Sequence, residues 1–139
     1  HALNFFNGQY DYIVLLQPTS PLRTAEDIDK CIENCIVNRS NSCVSVKEAE
    51  EHPYLMYTIE NKLLSPFIKE KKKVDRRQDL PPVYILNGAV YVTNCEWLLI
   101  NKKFVDENTI AYLMPAERSI DIDTKHDLKF MEYLIGLKK

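Results

Sequence analysis

Glycine is scarce in this chain: Gly8, Gly88 and Gly136 are the three among 139 residues. A loop that cradles phosphates needs several backbone amides turned toward one point, a geometry that glycine usually permits. No GxGxxG and no GxxxxGK segment occurs, so no glycine-rich triphosphate loop is readable. Long apolar runs are missing as well, and a membrane-spanning helix needs about 18 to 20 such residues in a row. The amino end shows no basic segment followed by an apolar one, the pattern of a secretory leader. Charge of one sign is not in excess: the net value is −2, too small to draw the whole chain toward nucleic acid or an acidic membrane. The expectation is a cytoplasmic protein that binds neither nucleic acid nor membrane. Cysteine pairs of the CxxC type are absent too. Cys31, Cys35, Cys43 and Cys95 read as reduced core thiols, with zinc or disulfide chemistry as the alternative.

What is present is ordinary for a globular domain, with 45% apolar and 27% charged residues. Tyr10 to Leu16 reads YDYIVLL, an apolar run without helical period and therefore a strand buried on both faces. Pro18 and Pro21 end it. Thr24-x-x-Asp27 has the form of a capping box. Ile28, Cys31, Ile32, Cys35 and Ile36 follow at helical spacing, predicting an amphipathic helix over about 25–38. Ser42 to Val46 is a second strand, and strand, helix, strand makes a crossover unit. Because so little chain precedes a strand of buried character, the sequence reads as starting partway through a doubly wound domain.

The middle breaks this rhythm. Tyr54 to Ile59 and Leu63 to Ile68 flank Glu60-Asn61-Lys62 as a hairpin. A basic stretch, Lys69 to Arg77, and then Pro81-Pro82 follow. The α/β pattern resumes with strand-like Val83 to Ile85 and Ala89 to Val92 around a turn signal, Asn87-Gly88. Asn94 caps a short helix, Ile110 to Met114 is a strand, and Thr124-x-x-Asp127 opens a last helix striped by Leu128, Met131, Leu134 and Ile135.

Two constellations carry chemistry. Asp121 and Asp123 alternate with Ile120 and Ile122. In extended chain, side chains two apart share one face, with Cα atoms about 6.6 Å apart. Paired carboxylates repel unless a cation sits between them, and Mg²⁺ suits such a pair because it takes one or two carboxylates along with phosphate oxygens. A solvated edge with one aspartate capping the next helix is the other reading, and spacing alone does not choose. Gln17, Thr19, Ser20 and Arg23 follow a strand's carboxyl end, the usual ligand crevice of an open α/β sheet. Their amide, hydroxyl and guanidinium groups suit a polar, anionic ligand, against the alternative of a proline-stiffened turn. Arg76 and Arg77 offer paired guanidiniums or a merely solvated charge run.

In this order, the segments YIVLLQPTSPLRTAEDID, RRQD, NGAVYVTN and SIDIDTKHDL resemble the acylneuraminate cytidylyltransferases, the CMP-sialic acid synthetases. The resemblance covers nearly the whole chain. It implies an α/β fold with a doubly wound, mostly parallel sheet like that of nucleotide-diphospho-sugar transferases. It also implies an extended β-rich dimerisation arm, here at about 47–82, through which a homodimer forms. The implied reaction joins CTP to a nine-carbon 2-keto sugar acid, a sialic acid, with release of pyrophosphate. Asp121 and Asp123 would bind Mg²⁺ and, with Gln17, form the catalytic set. Gln17, Thr19, Ser20, Arg76, Arg77, Gln78 and Asn87 would contact or shape the sugar site. The family opens with a strand and a segment of the form LxARxGSKxxxxKN that wraps the CTP phosphates, and none is present here. Residues 1–139 therefore read as a single truncated nucleotidyltransferase domain, inactive alone. The rivals are a cytidylyltransferase for legionaminate or a related keto sugar acid, and a non-catalytic dimerisation module of the same fold.

Overall fold

The apolar run after Tyr10 does form a strand, β1 (Tyr12–Leu15), in the computed structural model of the chain. The structure describes residues 10–69, 76 and 79–137, with Leu3. The chain divides into two units, His1–Lys47 with Leu86–Lys139, and Glu48–Ile85.

In the first unit, Thr24 starts helix α1 (Ala25–Val37) through a complete capping box. Its side chain accepts from the Asp27 amide, and the Asp27 carboxylate accepts from the Thr24 amide at 2.8 Å. Strand β2 (Ser42–Glu48) follows. Strand β5 (Tyr84–Asn94) leads directly into helix α2 (Cys95–Asn101), capped as expected by Asn94 Oδ1, which accepts from the Trp97 amide at 3.0 Å. Strand β6 (Ile110–Leu113), a 3₁₀ turn (Ala116–Arg118) and helix α3 (Lys125–Gly136) complete the unit, α3 opening on the second capping box. No described helix is long and apolar enough to cross a membrane.

The four-stranded sheet has the order β1-β5-β2-β6. Strand β1 is antiparallel to β5, Tyr12 opposite Asn94 and Leu15 opposite Tyr91. Strand β2 is parallel to β6, Cys43 opposite Ile110. Between β5 and β2 the contacts run in opposite directions, Asn94 N to Asn41 O and Val90 N to Ser45 Oγ. The expected α/β class is found, but the sheet is mixed rather than mostly parallel: of its three neighbouring pairs only β2 with β6 is parallel among the described strands. α1 covers one face: Cys31 and Cys35 pack with Cys43, Ala89, Val90, Val92 and Met114. All four cysteines are free and buried; burial, together with the neighbouring Cys43 thiol, raises the Cys35 pKa to about 11, as an unreactive core thiol requires.

Three local expectations are corrected. The run at Tyr10 to Leu16 is not buried on both faces: β1 lies at the sheet edge, its only described neighbour is β5, and Leu15 and Leu16 are exposed. Asn87-Gly88 is not a turn between two strands but lies inside the continuous β5, where Gly88 takes φ +73°. Ile36, expected on the buried stripe of α1, stands exposed near the helix end.

The second unit holds a 3₁₀ turn (Pro53–Leu55) and an antiparallel hairpin of β3 (Tyr57–Glu60) and β4 (Leu63–Pro66). Asn61 and Lys62 both take positive φ, 51° and 69°, the pair of left-handed residues that a two-residue type I′ turn demands. Arg76 is exposed; Arg77, Gln78 and the residues 70–75 of the basic stretch lie outside the described residues.

One charge ties the first unit together. Asp27 is fully buried and accepts from Thr24, from Tyr112 OH at 3.0 Å, and from Arg118 through Nε at 3.0 Å and Nη2 at 2.7 Å. Burial alone would push its carboxyl up; the Arg118 fork and the Thr24 hydrogen bonds outweigh that and hold it well below its ordinary 3.8. Burial and the same contact push the Tyr112 phenol up to about 12. Because the folded pKa of Asp27 lies below the unfolded one, its charge stabilises the fold fully above the unfolded value. That contribution fades as pH falls from about 4 toward the depressed folded value. Asp27→Asn should cost about 3–5 kcal/mol at neutral pH, since it strands Arg118 beside a neutral amide, and should flatten the acid limb of the stability curve. Chemical denaturation between pH 2 and 7 reads both; an unchanged acid limb would show that Asp27 is not the group that titrates.

Candidate functional site

The site is built from two loops held against β5. In the first, Pro18 sits at the second position of a turn closed by Ser20 N donating to Gln17 O at 3.3 Å. The Arg23 guanidinium, read from sequence as a ligand group, is spent on this turn: Nη1 donates to Gln17 O at 2.6 Å and to Ser20 O at 2.8 Å. With its carbonyl held, the Gln17 side-chain amide has no hydrogen-bond partner among the described residues and keeps both its donors and its acceptor. Thr19 is half-buried, and its carbonyl accepts from Ile122 N at 2.8 Å.

That last bond docks the second loop. Residues 119–123 form no regular strand, so the apolar alternation does not translate into a sheet edge. Ser119 N donates to Ala116 O, which closes the 3₁₀ turn, and Ile122 N reaches Thr19. Between these anchors the half-buried Asp121 carboxylate lies beside the first loop, Oδ1 at 3.5 Å from Ser20 Oγ. Its charge, secondary to burial, raises the Tyr91 phenol. Asp123 is exposed, and its amide donates to Asp127 Oδ2 at 3.2 Å.

Gly88 is where the two loops meet β5. A Cβ built there would collide with Gln17 Oε1, and would stand 3.1 Å from Ser20 Oγ and 3.4 Å from Asp121 Oδ2. Gln17, Ser20 and Asp121, far apart in sequence, thus converge on one backbone atom that only glycine leaves open. Asn87, next in the strand, is buried and fully engaged. Its Oδ1 accepts from Ser45 Oγ at 2.6 Å and from Ala89 N at 3.1 Å, while Nδ2 donates to Ser119 Oγ at 2.9 Å. Its carbonyl accepts from Ser20 Oγ at 3.0 Å. Asn87 and Ser20 therefore shape the site through protein contacts. Arg76 belongs to the other unit, and Arg77 and Gln78 lie outside the described residues.

A metal is compatible with what is here. Among the described residues Asp121 has only the long Ser20 contact, so its oxygens retain acceptor capacity, and Asp123 is exposed. Among the described residues no three His, Cys, Asp or Glu side chains cluster. That excludes an all-protein cage among those residues and fits an ion held by one or two carboxylates and the ligand's own oxygens, as Mg²⁺ is. Sequence reasoning missed Gly88, Ser45, Ser119 and Arg118. A glycine interrupting an apolar strand was the available signal for the first; the serines and Arg118 carry no local signal.

Gly88→Ala should destabilise the protein by about 1–2 kcal/mol from the left-handed backbone alone. It should also unseat Gln17, seen as faster exchange of the Ser20 amide by hydrogen-exchange mass spectrometry. Native stability with a protected Ser20 amide would mean that the close approach is not needed.

No family profile matches the chain. Individual proteins do. An N-acylneuraminate cytidylyltransferase of Streptococcus agalactiae serotype III is 40% identical over 132 residues, 91% of this chain and 32% of its own length. A CMP-N,N'-diacetyllegionaminic acid synthase of Legionella pneumophila is 32% identical over 94% of this chain and 56% of its own. A pseudaminic acid cytidylyltransferase of Campylobacter jejuni is 31% identical over 92% and 55%. The chain spans about a third of the length of the Streptococcus relative and a little over half of the other two. On the 40% identity across nine-tenths of its residues, the chain belongs to the acylneuraminate cytidylyltransferase family.

Proposed function

We propose that the intact protein transfers a cytidylyl group from CTP to a nine-carbon 2-keto sugar acid of the sialic acid type, releasing pyrophosphate. The convergence of Gln17, Ser20 and Asp121 on Gly88 carries this reading. It sets an unspent amide and an unspent carboxylate side by side, in a chain whose relatives are named for that chemistry. In the reaction the anomeric hydroxyl attacks the α-phosphorus in line, an O–P bond forms, the bond to the β-phosphate breaks, and the hydroxyl proton is lost to base or solvent. Bound Mg²⁺ supplies neutralisation of charge on the phosphoryl oxygens. Asp121 and Asp123 hold it. Gln17, its backbone carbonyl held by Arg23 and its side-chain amide without a partner among the described residues, offers donors and an acceptor to the sugar acid, with Thr19 beside it. Ser20 and Asn87 keep these groups in place. No covalent nucleophile is required, because positioning and charge suffice for this class of transfer.

The rest of the assignment is also proposed. The sheet is part of a doubly wound nucleotidyltransferase domain in the cytoplasm. The 48–85 unit is an arm that pairs two copies of the chain, bringing Arg76, Arg77 and Gln78 to a sugar site. A second acceptor class, legionaminate or pseudaminate, is favoured by the relatives at 32% and 31% identity that carry those names.

The test is a panel of keto sugar acids with CTP and Mg²⁺ on the intact protein, scored by CMP-sugar mass. A sialic acid should give product and pyrophosphate in equal amounts, and chelation should abolish both. Asp121→Asn should lower turnover at least about 100-fold with the fold intact. Absence of product with every acid in the panel would refute the assignment.

A further inference from the structure

Asp27 lies at the start of α1 and makes no contact with Gln17 or Asp121, yet it is the most heavily bonded buried charge among the described residues. An N-terminal capping carboxylate needs only its own helix. Here the same carboxylate also receives both prongs of Arg118, at 3.0 and 2.7 Å. Arg118 closes the 3₁₀ turn, with its amide on Pro115 O at 3.1 Å, and the chain runs straight from it through Ser119 to Asp121. Downstream the same loop has one further backbone anchor, Ile122 N on Thr19 O. The Asp121 segment is thus held between Ile122 and Ser119, whose Oγ accepts from Asn87 Nδ2, and the Asp27–Arg118 fork anchors the residue immediately before Ser119.

We propose that Asp27 and Arg118 are positioning residues for Asp121, so that the capping box of α1 fixes where the site carboxylate stands. This rests on the metal-assisted reaction proposed above. A bidentate fork suits the task because it fixes the angle of the guanidinium as well as its distance. A single Lys–carboxylate contact fixes only distance. Tyr112 serves as an internal control: its hydroxyl bonds the same carboxylate from β6 and has no part in the loop.

The experiment compares Arg118→Lys, Asp27→Asn and Tyr112→Phe in the intact protein by melting temperature, Mg²⁺ concentration at half-maximal rate, and deuterium uptake at the Ile122 amide. All three should melt lower. Arg118→Lys and Asp27→Asn should also raise the half-saturating Mg²⁺ concentration by about ten-fold, the usual effect of losing a group that orients a ligand, and deprotect Ile122. Tyr112→Phe should change neither. If Asp27→Asn does not fold, Arg118→Lys against Tyr112→Phe decides. Equal effects of these two, or none on Ile122 exchange, would make the pair purely structural. A wild type without CTP-dependent product would sink the proposed reaction, while Ile122 exchange would still judge the positioning.

Discussion

A buried side-chain amide must have its donors and acceptor satisfied, and in this fold Asn87 is that amide. Leaving a buried polar group unpaired costs about 1–3 kcal/mol, so its partners are constraints as much as contacts. They come from separate stretches: Ser45 from β2, Ser119 from the loop after β6, and the backbone of β5 itself at Ala89. Its carbonyl adds Ser20 from the loop after β1. Each hydroxyl is buried and has no water to fall back on. The network is complete only when strand, sheet neighbour and both loops stand at once in their observed places, and such networks specify one arrangement more sharply than apolar packing does. The meeting of Gln17 and Asp121 over Gly88 follows from that constraint.

A division of labour follows among the charged and polar side chains. The arginines of the two site loops are used internally, Arg23 on two carbonyls of the first loop and Arg118 on Asp27. What they leave unspent is the Gln17 amide and most of the Asp121 carboxylate. A group already satisfied by protein cannot also reward a ligand. A group whose backbone is held in place is preorganised in part, and fixing its free side chain when the ligand arrives still costs about 0.5–1.5 kcal/mol. The positive charge here therefore shapes the two loops, and the unspent groups they carry are neutral and negative. That suits a ligand bringing hydroxyls and a cation.

Local chemistry in the sequence made much of this legible. Both Thr-x-x-Asp capping boxes, the Asn94 cap, the α1 stripe of Cys31 and Cys35, and the Asn61-Lys62 hairpin stand where propensity and period placed them. Each depends on residues within four positions of one another. The failures are of another kind. Whether β1 is covered on both sides depends on which strand pairs with it, and that is non-local. Gly88 matches the residue pattern of a turn, yet its positive φ is spent on the close approach of Gln17, a side chain from far earlier in the chain. The roles of Ser45, Ser119 and Arg118 are set wholly by partners distant in sequence. The candidate pair Asp121 and Asp123 was readable as chemistry, but its setting in an irregular loop was not.

The hairpin of the second unit shows the same logic from the other side. Its register sets Tyr57 opposite Pro66 and Ile59 opposite Leu64, and Thr58 opposite Ser65 between them. Side chains alternate across a strand, so Tyr57, Ile59, Leu64 and Pro66 share one face, and Thr58 and Ser65 the other. The first face is apolar, and its large side chains are exposed, Ile59 at 73% and Leu64 at 69%. A two-stranded hairpin is at best marginally stable in water on its own, and its type I′ turn fixes register without supplying burial. Covering Ile59 and Leu64 would each contribute about 1.5–3 kcal/mol, on the scale of what such a ribbon lacks. The pairing of two copies proposed for this unit would bring a second apolar face of the same shape to the first. Leu63, opposite Glu60 on the other face, is exposed as well, so the apolar side chains are concentrated on the first face and not confined to it.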